Sequence, residues 1–312
     1  MAHAPYSTLC RHQGRSEGRF LHCCVVAFFA FLPATMSRPN SSPTVTLNDG
    51  RQIPQLGFGV WQISEEQVVP AVLKALEVGY RHIDTAMIYG NEAGVGRAVR
   101  ESGLPREEVF ITTKLWNTDH ERAREALEES LERLGLDYVD LYLIHWPKLG
   151  LDKRVEAWAA MEQARAEGLI RSIGLSNFTP RFLSEILEKG SVTPAVNQIE
   201  YHPTFQQRSV EAANAAAGVV TQAWSPLGQA KHLDNAVLGR IAAELGRTPA
   251  QVVLRWHLQA GRVAIPKSVT PARIEENFAV TDFALTPEQV AAIDSLDSGN
   301  RLGQDPDLVH SW

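Results

Sequence analysis

The sequence predicts an α/β protein: a (β/α)8 TIM barrel with an N-terminal β-hairpin closing the barrel bottom. Three observations carry that expectation. Short, uniformly apolar runs recur eight times after residue 44, and stretches with helical spacing separate them. The runs do not alternate in and out, as parallel strands covered on both faces require. No G-x-G-x-x-G phosphate loop interrupts the series, since "GFGVWQ" and "GNEAGVGRAV" both miss it. Right-handed crossovers close eight such units into a barrel of typically ~250 residues. A doubly wound sheet would need a switch in strand order and usually that loop.

The elements follow in order. "TVTLNDGRQIPQL" reads as a hairpin with Asn48-Asp49-Gly50 at its turn. The strand-like runs are "GFGVW", "RHIDTA", "VFITTKLW", "VDLYLIHW", "IRSIGLSN", "AVNQIEY", "VVTQAWSP" and "VAIPKS". In "DHERAREALEESLERLG", Ala123, Ala126, Leu127, Leu131 and Leu134 fall at three- and four-residue spacing. Asp119 is expected to cap the start of this helix and Gly135 its end. "TPRFLSEILEKG" and "TPARIEENF" each open with Thr then Pro, an N-cap followed by proline in the first turn.

A net charge of -6 with no run of like charges argues against a polyanion-binding surface, so no nucleic-acid partner is expected. Cys10, Cys23 and Cys24 all lie in the first 36 residues, which excludes a disulfide scaffold or cysteine metal site from the remainder. No metal-ligand cluster appears. Near the N-terminus "RHQGRSEGR" is basic, and "FLHCCVVAFFAFLPA" is long enough for a signal-peptide core but short for a membrane span. Either a signal peptide is cleaved near Ala34, or the start lies at Met36 and the preceding residues are a misassigned start. The second reading is preferred because the body carries no sign of export. Residues 1–43 are therefore expected to be a disordered or misassigned extension, and 44–312 the barrel, cytoplasmic and without a membrane partner.

Chemistry in such barrels gathers at the C-terminal ends of the strands. Those ends carry Asp84, Lys114, His145, Ser176 with Asn177, Gln198, Trp224 with Ser225, and Lys267 with Ser268. Alone, Asp84 could cap a helix and Tyr89 could be a packed loop aromatic. Ionisable groups inside apolar strands are costly unless paired, and several converging on one rim speak for function. A phenol with a pKa of about 10 is a poor proton donor at neutral pH unless a neighbour lowers that value. Lys114 is a suitable cation, and Asp84 would keep it charged. His145 could donate a hydrogen bond to a substrate oxygen. The set suits protonation of an oxyanion. A Schiff-base role for Lys114 is the competing chemistry, but it requires the depressed pKa that Asp84 opposes.

At these residues the sequence resembles the aldo-keto reductases, in particular the bacterial and plant-type members that include the 2,5-diketo-D-gluconate reductases. "GYRHIDTAMIYGNE", "ITTKLWN", "DLYLIHWP", "IGLSNF", "NQIEYHP", "WSPLGQ" and "IPKSVTPARIEENF" occur in family order, from about Thr44 to the C-terminus. The resemblance implies a catalytic tetrad of Asp84, Tyr89, Lys114 and His145. It implies NADPH, bound extended without a Rossmann domain. Trp224 would stack on the nicotinamide, and Ser176, Asn177 and Gln198 would hold its carboxamide. Ser225 and Leu227 would line the pyrophosphate tunnel. Lys267, Ser268 and Arg273 would meet the 2′-phosphate, with Glu276 and Asn277 at the adenine. A cation pair beside a helix N-terminus suits a phosphate independently of the resemblance. Trp61, Trp116 and Trp146, with His145, are candidates for a substrate cleft, barrel-mouth packing being the alternative. The short tail after Asn300 favours small aldehydes and ketones, keto sugars such as 2,5-diketo-D-gluconate included. A monomer is the family default. Related proteins serve as channel β-subunits, but no partner-binding insertion supports that role here.

Overall fold

The computed structural model describes residues 42–147 and 151–308, so the expectations about a signal peptide and the start codon lie outside the described residues. Two antiparallel strands, β1 (Thr44–Thr46) and β2 (Gln52–Pro54), form the hairpin, with Val45 opposite Ile53. Gly50 adopts φ +84° in the turn, a left-handed conformation that glycine takes without steric cost. Leu47 and Ile53 pack with Phe110, Leu141, Leu143, Val196 and Val263 in the barrel interior, so the hairpin plugs the end where the strands begin.

The strands are β3 (Phe58–Gly59), β4 (His82–Asp84), β5 (Phe110–Leu115), β6 (Val139–Ile144), β7 (Ile170–Ser176), β8 (Val196–Glu200), β9 (Val220–Trp224) and β10 (Val263–Ala264). Each of the eight predicted runs contains one of them. They lie side by side in sequence order, every neighbouring pair parallel. The ring closes where Gly57 N–H donates to Ala264 O at 2.9 Å and Ala264 N–H to Gln55 O at 2.9 Å. The Gln55 side chain adds bonds to Leu258 O (2.7 Å) and Arg262 O (3.2 Å) across the same seam.

Ten helices are described: α1 (Glu65–Val78), α2 (Glu92–Glu101), α3 (Ala123–Leu134), α4 (Leu151–Ala166), α5 (Pro180–Lys189), α6 (Arg208–Ala216), α7 (Ala236–Leu245), α8 (Pro249–Gln259), α9 (Pro271–Phe278) and α10 (Pro287–Asp294). Their apolar stripes cover the outer face of the sheet: Val95, Leu127, Leu131 and Trp158 pack with Ile111, Tyr142, Ile144 and Ile173 in one buried cluster. Full burial of each such side chain contributes roughly 1.5–3 kcal/mol. None of the described helices is long and apolar enough to cross a membrane.

Gly135 ends α3 as expected, at φ +62° with its N–H on the last-turn carbonyls. Asp119 does not cap that helix. It lies in a preceding 3-10 turn, Asn117–Arg122, where it is buried and pairs with Arg122 at 3.1 Å, and α3 begins only at Ala123. Thr179 and Thr270 stand at the N-caps of α5 and α9 with proline following, yet neither side chain makes a capping bond. Complete capping boxes occur instead at Thr248–Gln251 and Thr286–Gln289, where glutamine at the third helical position returns the bond.

Candidate active site

Strand alternation decides which groups meet at the open end. Along β5, Thr112 and Lys114 share a face; the Thr112 hydroxyl meets His82 Nε2 at 3.0 Å, and one layer higher Lys114 meets Asp84. Lys114 Nζ donates to Asp84 Oδ1 at 2.6 Å and to Thr85 O at 2.7 Å, and reaches Tyr89 Oη at 3.5 Å. These three partners take the three ammonium protons. No lone pair is left for a Schiff base while the pair stands. Asp84 Oδ2 accepts from Gln198 Nε2 at 2.7 Å, so Gln198 steadies the carboxylate.

Tyr89 closes a 3-10 turn, Met87–Tyr89, and Gly90 follows at φ +67°. The next residue, Asn91, was not singled out in the sequence, yet it fixes this loop. Its buried amide accepts from Thr85 Oγ1 at 2.8 Å and donates to Val60 O and Ile63 O, both at 3.0 Å. That ties the Tyr89 turn to the segment carrying Trp61.

His145 lies just beyond β6, its N–H on Leu115 O at 3.0 Å. Its ring stands edge-on to Tyr89 (5.8 Å between centroids) and to Trp116 (5.1 Å). Its Nδ1 is buried with no hydrogen-bond partner among the described residues. Burial, with the Lys114 charge adding to it, holds this imidazole well below its ordinary pKa, so the ring is neutral at physiological pH. Burial leaves Lys114 below its ordinary pKa, with Asp84 offsetting only part of that, so the depression expected to be opposed by Asp84 persists.

Tyr89 departs from the expected direction. Burial, followed by the Asp84 carboxylate, pushes its phenol well above 10 rather than below. Lys114 does not reverse the effect of burial, because Asp84 sits 2.6 Å from the lysine and balances its charge, while the phenol is 3.5 Å away. The oxygen therefore keeps its proton.

The residues expected around a nicotinamide form one hydrogen-bonded chain. Trp224 Nε1 donates to Asn177 Oδ1 (2.8 Å), Asn177 Nδ2 to Ser176 Oγ (3.1 Å) and His145 O (3.0 Å), and Ser176 Oγ to Gln198 O (3.0 Å). Asn177 at φ +63° and Ser225 at φ +47° are non-glycine residues in the left-handed region, at the ends of β7 and β9. Such strain gathers at functional rims. Leu227 is half-buried between two core clusters.

At the far end, Lys267 and Arg273 are exposed and make no ion pair among the described residues, while buried Ser268 Oγ accepts from Thr270 N at 3.1 Å. Thr270 gives no side-chain cap, Pro271 has no N–H, and the Arg273 and Ile274 amides donate to Thr270 O at 3.0 and 3.1 Å, so the two cations are the main attraction for an anion at this end of α9. Asn277 is buried, and Glu276 Oε1 already accepts from Thr248 Oγ1 at 2.7 Å. Of the three tryptophans, Trp116 lies against His145, Trp146 is half-buried and Trp61 is 45% exposed.

A parallel barrel whose rim joins a buried Asp–Lys pair to a tyrosine and a neutral histidine defines a barrel oxidoreductase. The chain belongs to the aldo/keto reductase family, whose sequence pattern matches residues 55–298. It is 54% identical over 270 residues to the methylglyoxal reductase DkgA of Escherichia coli, spanning 86% of this chain and 98% of that one. An aldo-keto reductase of Mycolicibacterium smegmatis is 51% identical over 267 residues, 85% of this chain and 97% of its own. An aldo/keto reductase structure from Brucella melitensis superposes with a TM-score of 0.80 at 50% identity, covering 82% of this chain and all of that one. A Bombyx mori aldo-keto reductase solved in complex with NADP gives 0.81 at 37% identity, with 86% and 96% covered.

Proposed function

We propose that this protein reduces small aldehydes and ketones to alcohols with NADPH, its substrates being α-oxoaldehydes of the methylglyoxal kind and keto sugars such as 2,5-diketo-D-gluconate. The observation that carries the reading is the Lys114 ammonium, anchored by Asp84 and Thr85 and reaching Tyr89 Oη at 3.5 Å. The relative DkgA supports the substrate class and the NADP complex of the Bombyx mori enzyme supports the cofactor.

NADPH, when bound, supplies a hydride to the carbonyl carbon. Lys267 and Arg273 at the start of α9, which make no ion pair among the described residues, fit a 2′-phosphate, with Ser268 beside them and Glu276 and Asn277 toward the adenine. Ser225 and Leu227 would line the pyrophosphate path. Trp224, Ser176, Asn177 and Gln198 would face the nicotinamide end. Tyr89 gives its proton to the carbonyl oxygen. The raised phenol pKa keeps the proton on Tyr89 in the resting site, and the Lys114 ammonium at 3.5 Å offsets the cost of giving it up once charge develops on the carbonyl oxygen. Lys114 then stabilises the phenolate left behind, and Asp84 keeps Lys114 in place. Neutral His145 orients the same oxygen by hydrogen bonding. Trp61, Trp116 and Trp146 wall the cleft. The unit that does this is read as residues 44–312, a monomer in the cytoplasm.

Tyr89→Phe tests the assignment with NADPH and a carbonyl panel headed by methylglyoxal. Lys114 keeps its two shorter bonds in this variant, so the fold and cofactor binding persist. Turnover falls by about 10²–10⁴-fold, and a variant retaining more than about a tenth of wild-type kcat would show that another group donates the proton.

A further inference from the structure

One buried carboxylate at the same rim takes no part in the chemistry above. Glu200, the last residue of β8, is 1% exposed and has no lysine or arginine partner among the described residues. A buried carboxylate is costly unless its oxygens are filled. Here backbone amides fill them: Leu302 N–H donates to Oε1 at 2.6 Å and Gly303 N–H to Oε2 at 2.9 Å. His202 Nε2 completes the set at 3.0 Å from Oε1, and its Nδ1 meets the Thr204 hydroxyl at 3.1 Å. Thr204 O accepts from Ser298 N–H (3.2 Å) and Asn300 N–H (3.0 Å), so the C-terminal segment is pinned along this edge.

The pinned point is where the segment meets Trp224. A Cβ on Gly303 would fall 2.5 Å from Cη2 and 3.3 Å from Cζ2 of that indole, so the backbone lies against the ring's outer edge. The inner edge is held by the bond from Nε1 to Asn177 Oδ1 at 2.8 Å. Glu200 and Trp224 are also register partners on β8 and β9. The indole is thus held from both sides, and Glu200 sets the outer one.

We propose that Glu200 is a positioning residue: by clamping the Leu302 and Gly303 amides it braces the plane of Trp224, and through Trp224 the angle at which a nicotinamide meets the carbonyl. This rests on the proposed role of Trp224 against the cofactor. A lock serving only the tail could sit anywhere along the segment; this one sits at the glycine that touches the ring.

Glu200→Gln in the full chain keeps the shape but turns one acceptor into a donor facing an amide donor. Hydrogen exchange at the Leu302 and Gly303 amides accelerates, and indole emission, read as a difference against Trp224→Phe, shifts. With NADPH and methylglyoxal, kcat falls by about ten- to a hundredfold, the scale of a misplaced reactive group. Affinity for adenosine 2′,5′-bisphosphate, a probe of the far end alone, stays at the wild-type value and shows the barrel is intact. Gly303→Ala loads the same brace from the other side, its Cβ falling 2.5 Å from Cη2 of the ring and 3.0 Å from Glu200 Oε2. It lowers kcat in the same way, and the double variant falls no further than the worse single one. Faster exchange with wild-type kcat would reduce Glu200 to a tail lock, and unchanged exchange would remove the clamp altogether. A wild type that reduces no carbonyl would sink the reductase reading instead, with exchange and indole emission still deciding whether the brace exists.

Discussion

Asp84→Asn takes one charge from a pair whose side chains are 2% and 0% exposed. The variant is isosteric, so the effect is electrostatic and directional. Its remaining oxygen can still accept from Lys114, but its new amide faces Gln198 Nε2, which stands 2.7 Å from Oδ2 in the parent. That bond becomes donor against donor unless Gln198 turns. Leaving a buried charge without its partner costs about 3–5 kcal/mol. Lys114 escapes part of this by losing its proton, because burial already lowers its pKa and Asp84 is the chief influence raising it. The floor is then one lost charge-assisted hydrogen bond, roughly 1.5–3 kcal/mol. Urea unfolding should therefore show a loss of about 2–4 kcal/mol with an unchanged m-value. The pH–rate profile is the second readout: the basic limb moves to lower pH, as Lys114 deprotonates more readily beside Tyr89. Lys114→Met and the double variant complete the cycle, and the double is less destabilised than the sum of the singles because each single leaves the other group stranded. A wild-type unfolding midpoint together with an unmoved basic limb would refute the pairing as the source of both stability and rate.

Two further outcomes follow from the same structure. Lys267→Ala and Arg273→Ala each weaken NADPH binding by about ten- to a hundredfold, leave NADH nearly unchanged, and lose less at high salt. Fluorescence titration with both cofactors checks this, and equal losses would remove the 2′-phosphate assignment. His82 is fully enclosed at the barrel bottom, where burial lowers its pKa from 6.5 to about 4. Between those values the unfolded chain binds a proton that the fold refuses, so stability is full above pH 6.5 and declines as pH falls toward 4, by about 3 kcal/mol from this one group. His145 and His257 act in the same direction. Urea midpoints measured from pH 7.5 to 4.5 should fall, less steeply in His82→Gln, and equal slopes for the two proteins would clear His82 of the effect.

The eight strands were legible because a parallel strand covered on both faces has to be apolar throughout, and few other segments are. The rim was legible for the complementary reason: Asp84, Lys114 and His145 stand out against apolar runs that would otherwise exclude them. What escaped depends on three-dimensional partners that no spacing encodes. Asp119 has the right chemistry for a cap, but a 3-10 turn intervenes before α3 and Arg122 claims it. The Thr-Pro pairs at α5 and α9 mark helix starts correctly, yet Phe182 and Arg273 occupy the third position where Thr248 and Thr286 find glutamine. The Tyr89 phenol moved the other way because burial, and after it the Asp84 carboxylate, outweigh a lysine whose charge Asp84 balances at 2.6 Å. Asn91 and Glu200 hold loops through backbone groups, and such partners leave no trace in side-chain composition.

The unbroken strand order has a consequence for how the molecule is made. Every pairing in the ring but one joins strands that are consecutive in sequence, so the sheet can grow by short steps. The remaining one, between the β3 and β10 ends, brings together residues such as Gln55 and Leu258 that are 203 positions apart. Closing so long a loop is entropically expensive and comes late. Until it does, the nascent protein is a curled sheet with two bare edges, each able to pair with another copy. The Gln55 side chain, bonded to two carbonyls on the far side of the seam, is the stitch that ends this exposure. The seam joins two strands of two residues each, so its side-chain and loop contacts carry much of the closure.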